Sequence, residues 1–156
     1  MGIEIERKFL IRDASWRDGI ERSERFEQGY LATGEQATAR VRVACDRAWL
    51  TIKGRKAGIS RREFEYAIPV ADGRQMLEEL CGGRVVVKTR HWVNYRGRVW
   101  EVDEFEGENT GLVLAEAELA SPDETIEPPP WIGEEVSDDP RYYNAYLAEH
   151  PYKTWS

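Results

Sequence analysis

Cysteine, histidine and methionine are scarce, with two of each in 156 residues. Cys45 and Cys81 belong to no CxxC or Cys/His pattern. That argues against a disulfide framework or a zinc site and fits a reducing compartment. No run of 18 apolar residues occurs, so no transmembrane helix is expected. Met1-Gly2-Ile3-Glu4-Ile5-Glu6 lacks a basic segment leading into an apolar one, so no signal peptide is expected and a cytoplasmic protein is. The chain has no GxxxxGK[ST] and no GxSxG, which excludes a P-loop phosphate cradle and a serine nucleophile elbow. No Ser/His/Asp set is apparent. Bases are in deficit, 22 against 29 acids, for a net charge of −7. General binding to nucleic acid or an anionic membrane would need the reverse. A local basic pocket remains compatible with that balance.

What the sequence does have is alternation. The dominant period is two, the signature of half-buried strands. Eight strands are expected, at 3–11, 25–33, 38–44, 48–53, 62–70, 84–95, 98–105 and 112–120. Arg96-Gly97 marks a hairpin. Asp72 is placed to cap a short helix ending at Gly82-Gly83. Pro128-Pro129-Pro130 is a stiff connector that fits neither helix nor central strand. Ser137 is placed to cap a last helix over 139–149. No repeat or domain boundary is visible, so one domain is expected over 1–156. Eight antiparallel strands joined by short turns predict a mainly β fold, a closed barrel with a few flanking helices.

The charges fall unusually within those strands. Residues two apart share a face. By that rule Glu4, Glu6 and Lys8 lie together, as do Arg40 with Arg42, Glu63 with Glu65, Lys88 with Arg90, Glu101 with Asp103, and Glu116 with Glu118. Lys53 is alone on its strand. The other face carries Ile5, Val41, Val43, Ile52, Phe64, Val87, Val102, Val113 and Ala117, and reads as the protein-covered one. A charged face turned to water is ordinary for one strand. It is a poor account of seven strands out of eight. Two carboxylates about 5 Å apart repel by roughly 3 kcal/mol at an effective dielectric of 20. Such pairs ask for a cation, and hard divalent metals take oxygen ligands. The paired bases ask for a polyanion, since arginine forks and lysine ammoniums suit phosphate oxygens. The eight acids and six bases sum to −2. Two divalent ions would bring that to +2, a fitting host for a phosphate chain.

The remaining candidates read as structural. His91 falls opposite Lys88 and Arg90 by parity. The cysteines and the six tryptophans read as packing residues. The stretch from Lys53 to Arg62 reads equally as a solvated basic loop or as a mouth that draws anions inward.

Glu4-Ile5-Glu6-Arg7-Lys8 resembles the ExExK signature of the triphosphate tunnel metalloenzymes, the CYTH domain family. The likeness continues through Gln28-Gly29-Tyr30-Leu31, Arg40-Val41-Arg42, Thr51-Ile52-Lys53-Gly54, Glu63-Phe64-Glu65, Lys88-Thr89-Arg90, Glu101-Val102-Asp103 and Glu116-Ala117-Glu118. Pro129-Pro130-Trp131-Ile132-Gly133-Glu134-Glu135-Val136 and Arg141-Tyr142-Tyr143-Asn144 resemble the tails of short bacterial members. The resemblance implies a barrel that holds a triphosphate inside. Lys8, Arg40, Arg42, Lys53, Lys88 and Arg90 would hold the substrate. Glu4, Glu6, Glu116 and Glu118 would hold Mg²⁺ or Mn²⁺ and, with Lys8 and Lys53, serve catalysis. Glu63, Glu65, Glu101 and Asp103 would support water or metal, or balance the cations. The activity implied is metal-dependent hydrolysis of inorganic triphosphate. A class IV type adenylate cyclase, a thiamine triphosphatase and a non-catalytic polyphosphate- or nucleotide-binding module are the alternatives. A small-molecule partner, no nucleic acid and no membrane are expected, with a homodimer left open.

Overall fold

The computed structural model describes residues 2–155. Nine antiparallel strands form one sheet: β1 (Gly2–Ile11), β2 (Ile20–Thr33), β3 (Ala37–Ala44), β4 (Arg47–Gly54), β5 (Ser60–Ile68), β6 (Val85–Tyr95), β7 (Arg98–Phe105), β8 (Val113–Glu118) and β9 (Ile132–Glu135). Their order is β5-β4-β3-β2-β6-β7-β8-β1-β9, and β5 also pairs with β1. That last pairing closes eight strands into the expected barrel. The ninth was not expected. Its four residues follow the triple proline and pair with β1 at Phe9 and Ile11, beyond the Gly2–Ile5 stretch taken by β5. A ladder this short leaves little periodicity in the sequence.

Tight turns set the register. Arg96 and Gly97 both have positive φ, 51° and 87°, the backbone of a two-residue hairpin between β6 and β7. The long β2 starts five residues earlier than its alternation predicts, because a 3₁₀ turn at Ala14–Gly19 feeds directly into it.

Helix α1 (Val70–Glu79) follows Pro69, which occupies the cap position. Asp72 therefore lies in the first turn and is not the cap. There its charge still favours the helix N-terminus. The helix lies close against the barrel wall. A Cβ on Gly73 would stand 2.7 Å from the Cβ of Ala48, and one on Gly29 of β2 would stand 2.5 Å from Cys81 Sγ. The last helix is shorter than expected. A 3₁₀ turn covers Pro140–Tyr142, Tyr143 is extended, and α2 covers Asn144–Glu149. Asp139, not Ser137, caps the 3₁₀ turn. Ser137 is spent on the barrel: its hydroxyl accepts from Lys8 N–H at 2.9 Å and donates to Glu135 at 2.7 Å.

Two apolar clusters fill the molecule. The larger lies outside the barrel, where Trp16, Ile126 and Trp131 cover Phe9, Val93, Trp100, Val102, Ala115 and Ala117. The other closes one end of the interior: Val86, Phe105, Leu112 and Leu114 pack with Val136 and with Leu147 of α2. One covered face was misjudged. On the outer side of β5, Phe64 and Tyr66 are 45% and 59% exposed.

Candidate active site

Above that apolar end the barrel interior is a cavity of about 270 Å³. Thirteen of the fourteen charged residues singled out by parity line it. From β1 come Glu4, Glu6 and Lys8; from β3 and β4, Arg40, Arg42 and Lys53; from β5, Glu63 and Glu65. From β6 come Lys88 and Arg90, from β7 Glu101, and from β8, beside β1, Glu116 and Glu118. The exception is Asp103, which is buried behind Lys88 and Arg90.

Register decides which charges meet. Arg90 sits opposite Asp103, Lys53 opposite Glu63, and Lys8 opposite Glu116. Arg90 forks onto Asp103 at 2.8 and 2.9 Å and reaches Glu116 at 2.9 Å and Glu101 at 3.3 Å. Lys88 donates to Asp103 at 2.7 Å. Lys53 lies 3.1 Å from Glu4 and 3.3 Å from Glu63. Lys8 is 3.7 Å from Glu116, and Arg40 is 3.7 Å from Glu65. Thr51 joins that last pair, accepting from Arg40 at 3.3 Å and donating to Glu65 at 2.9 Å.

The charges left over sort by sign. Among the described residues, no carboxylate lies within ion-pair range of Arg42 or Lys56. Arg42 donates to Gln28 Oε1 at 3.0 Å and lies over the Phe26 ring at 4.5 Å. Lys56 donates to the Ser137 carbonyl at 2.8 Å and the Tyr143 hydroxyl at 3.3 Å. The buried Nε of Arg40 has no partner. On the other side, Glu6 and Glu118 face each other across β1 and β8, and neither forms an ion pair among the described residues. Burial, then Glu116 and Glu4, push Glu6 up to about 8. For Glu116 burial acts upward as well, but Lys8 and Arg90 overcome it and hold the group at about 2. Burial pulls Arg42 below its ordinary value, helped by Arg40 and Arg90. Lys88 comes down to about 7 through burial, with Arg90 and Arg42 adding to it against the pull of Asp103.

Of the four acids expected to hold metal, Glu4 and Glu116 are thus already engaged by cations, and Glu6 and Glu118 are not. Among the described residues, no three Asp, Glu, His or Cys side chains converge closely enough to ligate one ion as they stand. The donor set nevertheless suits a hard ion. It is all oxygen, and its central member, Glu6, is an acid that burial and the charges of Glu116 and Glu4 push upward, an environment that a bound cation would relieve.

Lys56 and Arg61, from the stretch read as either a solvated loop or an anion-drawing mouth, line the cavity, and so do Tyr143 and Asn144, to which the sequence reading gave no role in the site. The fully buried Gln28 bridges Arg42 to Asn144. Gln28 and Asn144 are neutral, so a search by charge parity passes over them. Lys56 belongs to the basic loop, which here folds inward onto the C-terminal segment. A Ser/His/acid set also exists, with glutamate as the acid. Ser23 Oγ is 2.6 Å from His91 Nδ1, and His91 Nε2 is 3.1 Å from Glu104. It lies on the outer wall, where Trp16 packs on the imidazole and Arg17 takes the other oxygen of Glu104 at 2.6 Å. That acid is already neutralised, and the set ties β2, β6 and β7 together.

The model of the CYTH domain matches residues 2–143. A protein of Acetivibrio thermocellus named inorganic triphosphatase is 44% identical over 155 residues, covering 99% of both chains. A protein of the same name from Nitrosomonas europaea is 40% identical over 149 residues, covering 93% of this chain and 96% of the relative. A crystal structure described as an inorganic triphosphatase is 36% identical, with a TM-score of 0.69 over 93% of each chain.

Proposed function

The chain belongs to the CYTH domain family, and from that premise we propose that it hydrolyses inorganic triphosphate to diphosphate and phosphate. One observation carries the reading: a single cavity sets cations with no carboxylate partner against carboxylates with no cation. Arg40 and Arg42 of β3, Lys53 of the neighbouring β4, Lys88 and Arg90 of β6, and Lys8 of β1 bind phosphoryl oxygens from around the cavity. A hard divalent ion, Mg²⁺ or Mn²⁺, would be held by Glu6 and Glu118 with Glu4 and Glu116, and would neutralise phosphoryl charge and acidify water. Water attacks the terminal phosphorus. The new P–O bond forms as the bridging bond to the diphosphate breaks, and the phosphate products take up the proton. The chain supplies no covalent step. It supplies fixed positive charge where the leaving oxygens become more negative.

The supporting acids hold the cations in place. Asp103 aligns Lys88 and Arg90, Glu101 flanks Arg90, Glu65 acts on Arg40 through Thr51, and Glu63 steadies Lys53. We read the whole of 1–156 as one domain acting on a small molecule in the cytoplasm. Among the described residues, no helix is long and apolar enough to cross a membrane. The test is ³¹P NMR of triphosphate, ATP, thiamine triphosphate and longer polyphosphate incubated with the protein, with chelator and then with Mg²⁺ or Mn²⁺. Metal-dependent appearance of diphosphate and phosphate from inorganic triphosphate is expected. Turnover undiminished after metal stripping, or none with any metal, would overturn the assignment.

A further inference from the structure

Two neutral amides stand where the electrostatics of this cavity would suggest carboxylates. Asn144, the first residue of α2, lies in the cavity wall. Its Oδ1 accepts from Lys88 Nζ at 2.8 Å and from Gln28 Nε2 at 3.1 Å. Gln28 also donates to the Tyr30 hydroxyl at 3.1 Å, and its Oε1 accepts from Arg42 Nε at 3.0 Å. The chain Lys88–Asn144–Gln28–Arg42 can run only one way. Lysine and arginine donate and never accept, so an amide oxygen must face each cation, and a flip of either amide would set donor against donor.

The chain settles where the free N–H groups point. An ammonium has three donors. Lys88 commits one to Asp103 and one to Asn144, so the third has a fixed direction. Arg42 commits only Nε, which leaves both of its terminal NH₂ groups for a ligand. A carboxylate in place of Asn144, which uses only its Oδ1, would hold the same geometry and cancel the charge that a polyanion needs; one in place of Gln28 would lose the Nε2 donor to Asn144 and Tyr30 as well. A neutral acceptor orients the cation and leaves its charge intact.

We propose that Asn144 is a positioning residue for triphosphate binding, aiming Lys88 directly and Arg42 through Gln28, so that the C-terminal segment is part of the phosphate site. This rests on the triphosphatase reading above. It goes further in giving a role to two uncharged residues and to the docking of α2.

The test is steady-state kinetics on inorganic triphosphate, with melting temperatures, for the wild type, Asn144→Leu, Gln28→Met, their double variant and Asn144→Asp. Asn144→Leu is expected to raise KM about tenfold or more while kcat falls less than about threefold. Asn144→Ala, which adds no bulk, repeats that measurement should the leucine variant not fold. Because the two amides act as one chain, the double variant should fall short of the product of the single effects by at least about fivefold. Asn144→Asp keeps both acceptor contacts, so it should melt no lower than the wild type and still raise KM, because it cancels positive charge. Effects of Asn144 and Gln28 that multiply independently, a wild-type KM in Asn144→Asp, or a lowered melting temperature with unchanged KM in Asn144→Leu would each overturn the proposal. Failure of the wild type to turn over triphosphate is a separate result, and overturns the functional reading itself.

Discussion

Glu6 offers a sharp test of the cavity's electrostatics. It faces Glu118 across two strands, forms no ion pair, and is pushed up to about 8 by burial, Glu116 and Glu4. In the unfolded chain it would titrate near 4.5. Between those values the folded protein holds a proton that the unfolded chain has released. Stability contributed by this group is therefore lost as pH rises from 4.5 to 8. One unit is worth about 1.4 kcal/mol. Allowing for water that reaches the cavity, the loss should be about 2–4 kcal/mol, or on the order of 10 °C in melting temperature for a chain of this size. Lys88 works the other way. Its value of about 7 lies below its ordinary 10.5, so its contribution grows with pH across that interval. The wild-type profile mixes the two, and the difference between wild type and Glu6→Gln isolates Glu6. Melting curves of metal-free protein from pH 5 to 9 should coincide at the acid end. They should separate progressively to pH 8, with the variant more stable. Added Mg²⁺ should raise the wild type at pH 8–9 more than the variant, because it binds the ionised acid. Turnover of the variant should collapse. Parallel curves across the whole range, or equal stabilisation of both proteins by Mg²⁺, would refute the account of Glu6 as a buried acid waiting for a cation.

Arg42→Ala removes a cation that has no carboxylate partner. It should lower kcat/KM for triphosphate by about ten- to a hundredfold, the worth of one charge-assisted contact of about 1.5–3 kcal/mol, and a change confined to melting temperature would count against a phosphate contact. Glu118→Gln removes a carboxylate that faces Glu6 across the strand pair and has no cation partner among the described residues, so melting should hold or rise. A rate at limiting Mg²⁺ within about twofold of wild type would remove Glu118 from the metal set. Gly29→Ala places a Cβ 2.5 Å from Cys81 Sγ and 2.9 Å from Leu77. Such overpacking should cost about 1–3 kcal/mol and leave KM unchanged, so denaturant midpoints together with kinetics would show whether α1 acts only through packing.

The barrel was legible because its determinants are local. Alternation gives the strands, turn residues give their limits, and parity gives the face. Thirteen of fourteen charged positions consequently reach one cavity. What parity cannot supply is register. Arg90 takes Asp103 and Glu116, and Lys53 takes Glu4, so among the described residues Glu6 and Glu118 are left without a cation. Those partnerships come from strand stagger, which no single strand encodes. The C-terminal segment was least legible. Its helix signal at 139–149 is interrupted because extended backbone at Tyr143 brings that ring over Lys56 at 4.5 Å and sets Asn144 against Lys88. Tertiary contacts there outweigh propensity, and neutral residues carry them.

The charged interior is not required for folding. Buried ion pairs gain little over well-packed apolar residues of similar volume, because desolvation offsets their attraction. The same strands show the apolar alternative at the closed end of the barrel. Along the inward face of β8, Leu114 gives way to Glu116 and Glu118; along β7, Phe105 gives way to Asp103 and Glu101; along β6, Val86 gives way to Lys88 and Arg90; along β1, Leu10 gives way to Lys8, Glu6 and Glu4. Each strand crosses from apolar to charged while its parity holds. A sequence answering only to stability would continue the apolar filling. The switch on four neighbouring strands leaves a cavity whose acids and bases satisfy each other only in part. Its remainder, among the described residues, is unpaired carboxylate at Glu6 and Glu118 and unpaired cation at Arg42 and Lys56. In the proposed reading a metal ion and a phosphate chain would complete the two sets together. The cations must stay fixed before the substrate arrives, because reorienting them during reaction would forfeit the preorganisation that stabilises the leaving diphosphate. Asp103 does this for Lys88 and Arg90 by cancelling charge, and Asn144 does it for Lys88 and Arg42 without cancelling any. The balance between those two ways of holding a cation sets how much positive charge the cavity keeps for its substrate.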